Sequence, residues 1–240
     1  MKKIMFNDRY GLTQAVLDGK KTMTRRIIPD IEIDWARRGK VKLPVLGFNS
    51  GMLLMDVSSI LQGDGISRYP APTKYQPKYE VGEDVAIAQA YETIRWPSLP
   101  YIEMKAIYDE VIHSKGWKNK MFVRADLMPH RIRITDIKVE KLQDISIEDC
   151  EKEGIIHVNW RQYLKQDIDD FSPQPYKDHN VWTLPIFEES FLDSWAEQKQ
   201  GEFAAVSPDI AFAVLIDKIS GKGTWMRNPW VFAYEFELTK

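Results

Sequence analysis

The stretch that most constrains the fold lies near the C-terminus. From 230 to 238, large apolar residues take every second position: Trp230, Phe232, Tyr234, Phe236 and Leu238, with Glu235 and Glu237 between the last three. A period of two marks a half-buried strand, whose side chains alternate between the faces of a sheet. Such a strand needs hydrogen-bonding neighbours and a core on its apolar side. Four further segments supply candidates. In Arg131 to Val139, Ile132 and Ile134 fall on one face and Arg133 and Thr135 on the other. After the turn signal Gly82-Glu83-Asp84, the residues Val85, Ile87, Gln89 and Tyr91 alternate with alanines. Lys3 to Phe6 and Thr22 to Ile28 read as short strands, the second stopped by Pro29.

Helical signals are fewer and shorter. Asn7 or Asp8 caps a helix with Leu12, Ala15 and Val16 on one face and Gly19 at its left-handed stop. Ser146, with Asp149 three residues on, opens another that ends at Gly154. Phe187, Phe191 and Trp195 form one helical stripe. Ser207-Pro208 begins a helix with Ile210, Val214 and Ile216 to Ile219 on its apolar side, ended by Gly221. Ile102 to Ile112 fits a strand or a helix. Residues 29 to 80, with five prolines, carry no helical period and read as an irregular insertion with one or two short strands. Residues 157 to 183 are equally irregular. Strands joined by irregular connections predict an α+β chain: a small, mainly antiparallel barrel with short peripheral helices. The expectation is a single domain over 1–240, with insertions at about 29–80 and 157–183. A doubly wound parallel sheet would require regular strand–helix alternation, which is missing.

Composition excludes several classes. The 240 residues are 44% hydrophobic and 28% charged, ordinary for a globular protein and unlike a disordered one. No run approaches the roughly 18 apolar residues of a membrane span, and the opening apolar run is too short for a signal peptide. Cys150, the only cysteine, cannot form an internal disulfide, which points to a reducing, cytoplasmic setting without membrane association. The net charge of −2 conceals three blocks. Residues 1 to 45 carry eleven Lys and Arg against five Asp and Glu, and residues 115 to 141 carry eight against three. Residues 142 to 203 carry five against fourteen. Either a basic face awaits an anionic ligand, or the blocks neutralise one another on folding.

Most catalytic signatures are absent. His113, His130, His157 and His179 are isolated, so neither a metal site nor a cofactor is expected. No phosphate loop or G-x-S-x-G elbow occurs. Cys150 shares an apolar helix side with Ile147 and reads as a buried structural thiol. What remains is Gly19-Lys20-Lys21-Thr22-Met23-Thr24-Arg25-Arg26, in G-x-K-x-x-T-x-R spacing. In a strand, Thr22, Thr24 and Arg26 point one way and Met23, Arg25 and Ile27 the other. Two cations and a hydroxyl then share a small volume suited to an anion or a carbonyl-bearing heterocycle, unless the strand is merely solvated.

This motif resembles the signature of the ASCH domain family, a branch of the PUA-like β-barrels, and in particular its larger phage-type members. Tyr79 to Ile87 resembles the family's turn and second barrel strand. Ile132 to Val139, Leu142 to Ser146 and Glu151 to Ile155 resemble its next strand and short acidic helix, and Asn228 to Leu238 its closing strand. The resemblance implies a five- or six-stranded barrel with a cleft beside the first helix, binding RNA or a modified nucleoside or nucleotide. Some compact members are similar to amidohydrolases that remove an acyl group from the exocyclic amine of cytidine. Carried over, their lysine, threonine and glutamate fall on Lys21, Thr24 and Glu153, and Arg26 matches the motif arginine. The same four residues are the expected ligand-binding set. A third possibility is a phage-derived accessory protein working through protein contacts. Trp35, Trp96, Trp117 and Trp160 lie in loop-like segments, where they either stack on bases or pin loops to the core.

Overall fold

The computed structural model describes residues 1–29, 77–94, 101–159, 180–183, 205 and 207–239, with the backbone of 31–35, 39–43, 45–49 and 52–55. In chain order, β1 (Lys3–Ile4) leads through a 3-10 turn to α1 (Leu12–Leu17) and β2 (Met23–Ile27). Two hairpins follow: β3 (Ile31–Trp35) with β4 (Gly39–Leu43), and β5 (Val45–Asn49) with β6 (Met52–Met55). Then come β7 (Asp84–Ile87), α2 (Tyr101–Val111), β8 (Arg131–Lys141) and α3 (Ile147–Lys152). A third hairpin pairs β9 (Ile156–Asn159) with β10 (Asn180–Thr183). The chain continues through α4 (Pro208–Ser220) and α5 (Thr224–Arg227) to β11 (Trp230–Thr239).

The fold is α+β, built on a five-stranded sheet in the order β1-β7-β8-β11-β2. The β1–β7 pair is parallel and the other three are antiparallel. Among the described residues no pairing joins β2 to β1, and no closed barrel is found among them.

β11 is the spine, paired with β2 on one side and β8 on the other. Glu235 opposes Asp136 while Phe236 opposes Ile134, which leaves Thr135 as the extra residue of a bulge. The alternation expected for β11 holds only toward its end. Val231 and Ala233 are as buried as Phe232 and Tyr234, and Leu238 is exposed. A central strand has both faces covered in mid-sheet, which the flanking glutamates could not reveal. In β8 the expected pattern stands, with Ile132 and Ile134 buried and Arg133 and Thr135 exposed.

Local signals explain most element ends. Asn7 caps the 3-10 turn, and Gly19 takes the left-handed conformation (φ 72°) that halts the chain after α1. The Ser146 hydroxyl accepts the Asp149 N–H at 3.1 Å, as its capping position requires. Other expectations need correction. The described residues between 29 and 80 include four short strands; in the first, Ile31, Ile33 and Trp35 alternate with Glu32 and Asp34, a period-two signal that the prolines obscured. β7 ends at Ile87, and Tyr91 instead opens a 3-10 turn. The ambiguous 102–112 segment is helical. In α4 the buried stripe is Ala211, Phe212, Leu215 and Ile216, whereas Ile210 is 46% exposed. Two i,i+4 pairs thus set the inner face, one residue round from the expected start. Segment 157 to 183 contributes β9 and β10; the stripe of Phe187, Phe191 and Trp195 lies outside the described residues.

Candidate functional site

The motif strand is anchored at both ends. After Gly19, the backbone N–H groups of Lys20 and Lys21 both donate to the Ala15 carbonyl, turning the chain out of α1. The Thr22 N–H then donates to the Lys152 carbonyl at 2.9 Å, which ties the entrance of β2 to the last turn of α3. Across the sheet, Thr24 opposes Tyr234 and Arg25 opposes Ala233. This stapling carries Lys21 to the C-terminal end of α3, where unsatisfied helix carbonyls favour a cation.

Lys21 is 2% exposed. Its ammonium donates to the Glu153 carbonyl oxygen at 2.7 Å and to Glu153 Oε2 at 2.6 Å. Glu153, 4% exposed, accepts on Oε1 from Arg25 Nη1 at 3.2 Å. Arg25 reaches two more carboxylates. Its Nε and Nη2 meet Glu140 Oε1 at 2.9 and 2.6 Å, and Nη2 meets Asp149 Oδ2 at 2.8 Å. The guanidinium also lies 5.9 Å from the Phe212 ring centroid. Two cations and three carboxylates therefore form one network, buried except at half-buried Glu140, drawn from β2 and the turn before it, from β8, and from α3 and its C-terminal cap.

Burial disfavours the charged ammonium and pushes Lys21 below its ordinary lysine value. The Glu153 carboxylate pulls the other way, while Arg26 and Arg25 add to the lowering. For Arg25 burial again acts downward, but Glu153 and Glu140 outweigh it and hold the guanidinium above its usual value. Cys150, beside this network, has its thiol pushed up to about 12 by burial, so it is a neutral structural group, in line with expectation.

A cavity of about 320 Å³ opens over the network. Lys21, Thr24, Arg25, Arg26 and Glu153 line its polar side; Phe6, Leu12, Phe212, Leu215 and Ile216 line its apolar side. All four residues expected at the site, Lys21, Thr24, Arg26 and Glu153, thus meet in one concavity, although Lys21 and Glu153 are 132 positions apart. Thr24 is 5% exposed. Arg26 is half-buried, donates to the Met5 carbonyl at 2.7 Å and lies 6.0 Å from the Phe6 ring.

Sequence reading missed Arg25, Asp149 and Glu140. The signal was present for Arg25, whose place on the Met23 and Ile27 side of the strand made it an inward-facing cation. An arginine that enters a core is rarely left unpaired. The two carboxylates carried no local mark, because only the folded sheet and α3 bring them to it. Trp117 packs edge-on against Tyr108 at 5.4 Å and so pins its loop. The side chains of Trp35, Trp96 and Trp160 lie outside the described residues. No protein-family model, curated protein or solved structure matches this chain.

Proposed function

We propose that the cavity binds a nucleoside or nucleotide, as the resemblance to ASCH proteins implies, with the open sheet forming part of a PUA-like barrel in a cytoplasmic protein. The observation that carries this reading is the meeting of Lys21, Thr24, Arg26 and Glu153 in one cavity of about 320 Å³. That volume lies near the lower end of small-ligand sites, on the order of 300–1,000 Å³. It accommodates one nucleoside; an RNA strand would insert a single unstacked base. The apolar wall of Phe6, Leu12 and Phe212 suits the faces of a base, while Lys21, Thr24 and Arg26 suit its carbonyl and a neighbouring phosphate. The experiment is retention of cytidine, its acetylated form and its monophosphate at low salt, by wild type and by Lys21→Ala. Wild-type retention that Lys21→Ala abolishes supports the reading; no retention by wild type sinks it.

A second reading is hydrolysis of an acylated exocyclic amine. The close, buried Lys21–Glu153 pair favours it, because a buried amine gives up its proton more readily. Neutral Lys21 takes a proton from water as the oxygen bonds to the acyl carbon, and the Thr24 hydroxyl donates to the carbonyl oxygen. The C–N bond then breaks, and Glu153 relays the proton from Lys21 to the departing amine, leaving a carboxylic acid and the free nucleoside. Pairing with Glu153 favours charged Lys21, so burial must outweigh it. Acetate release from N4-acetylcytidine tests this step. Retention without release leaves binding alone.

A further inference from the structure

The motif accounts for Lys21 and Glu153 but says nothing of the arginine beneath them. Glu153 divides its carboxylate: Oε2 takes Lys21 at 2.6 Å and Oε1 takes Arg25 at 3.2 Å. Arg25 is itself fixed from behind by Glu140 and Asp149, and its side chain is 1% exposed. We propose that Arg25 is a positioning residue that holds one oxygen of Glu153, so that Lys21 keeps only the other. Arg25 borders the cavity, but its side chain is 1% exposed and its ion pairs all run to carboxylates of the protein, so its influence on Lys21 runs through Glu153. The inference rests on the reading of Lys21 and Glu153 as the working pair of the site.

The chemistry has a direction. A carboxylate shared between two cations holds each proton less firmly than one given wholly to a lysine. With Arg25 in place, Lys21 releases its proton at lower pH than it would beside an undivided Glu153. The charges around Lys21 come from three elements. These are Arg25 and Arg26 on β2, Asp149 and Glu153 at α3, and Glu140 on β8; α4 presents Phe212, Leu215 and Ile216 there and adds no charge. Asp149 and Glu140 both bond Arg25, whereas the Lys21 ammonium bonds Glu153, so the two carboxylates fix the arginine and leave Glu153 as the link.

The test is the titration of Lys21 in protein labelled with carbon-13 at the lysine ε-carbons, assigned with Lys21→Arg and read without ligand. Arg25→Lys keeps the charge but loses the fork that spans three carboxylates. It should raise the Lys21 midpoint by about one pH unit, a tenfold gain in proton affinity. In a Glu153→Gln background the same substitution should move the midpoint by a small fraction of that, because the link is gone. An unchanged midpoint in folded Arg25→Lys overturns the proposal, as does a full shift that persists beside Gln at 153. If Arg25→Lys does not fold, Glu140→Gln with Asp149→Asn loosens Arg25 from behind, and the same upward shift is required. Nucleoside retention by wild type is scored separately, so failure of the binding reading and failure of this one give different results.

Discussion

The molecule uses arginine–carboxylate pairing in two settings. On the surface, Arg124 meets Glu110 and Asp126 at 2.5 Å each, and Arg133 meets Asp84 at 2.9 Å. In the interior, Arg25 meets Glu140, Asp149 and Glu153 at 2.6 to 3.2 Å. The distances are alike, but the consequences are opposite. Arg124 and Arg133 are each at least half exposed, so water screens their pairs and stands ready to replace either partner. Around Arg25 water cannot do so. Each lost partner leaves a buried charge behind, so the network is rigid and fragile together. Bond length alone thus says little about what an ion pair does.

The largest effect should come from Arg25→Met, which leaves three carboxylates facing one another. We expect a loss of about 3–5 kcal/mol in urea denaturation. A loss near zero would erase the distinction between the two settings. Lys21→Met should cost less, about 1–3 kcal/mol, because Glu153 keeps Arg25 as a partner. The same variant carries a pH signature. With Lys21 lowered in the folded state, the unfolded chain binds the extra proton between that lowered value and 10.5. This contribution to stability therefore rises with pH through that window, and Lys21→Met should remove the rise.

A third expectation concerns the neutral groups beside and across from the network. Cys150 is raised from 9.0 to about 12 and Tyr79 from 10.0 to about 12, each by burial. Raised acids give stability that is complete below their unfolded values and fades as pH climbs through the folded ones. In Lys21→Met, where the opposing rise is removed, alkaline loss should begin near 9, and with Cys150→Ala added near 10, seen as the onset in denaturation curves taken from pH 8 to 11. The smallest effect belongs to the surface: Arg124→Ala and Arg133→Ala should leave the thermal midpoint where it is. A drop comparable to that of Arg25→Met would break the comparison from the other end.

Much of this was legible in the chain. The alternation in β8, the Ser146 cap and the Gly19 stop located three elements through purely local chemistry. The resemblance pointed to Lys21, Thr24, Arg26 and Glu153, and the fold brings these four together. Non-local features were hidden. Burial on both faces of β11 depends on what covers the sheet, and the Thr135 bulge depends on register. The charge blocks show the same limit. Lys21 and Arg25 of the first basic block meet Glu153 and Asp149 of the acidic one inside the protein. Two of the eleven cations in the first basic block are thus spent in a buried network and not on a surface face.

The central place of β11 also bears on when the protein becomes competent. β2 and β8 never touch as neighbours; each pairs with residues 230–239, which the ribosome delivers after every member of the cluster. Until then Arg25 on β2 and Glu140 on β8 lack the strand that brings them together. Completion of the pocket is therefore a late event that must close a loop of more than 200 residues, and such closures are slow. A nascent chain halted before Trp230 would carry every chemical group of the site without the strand that joins Arg25 to Glu140.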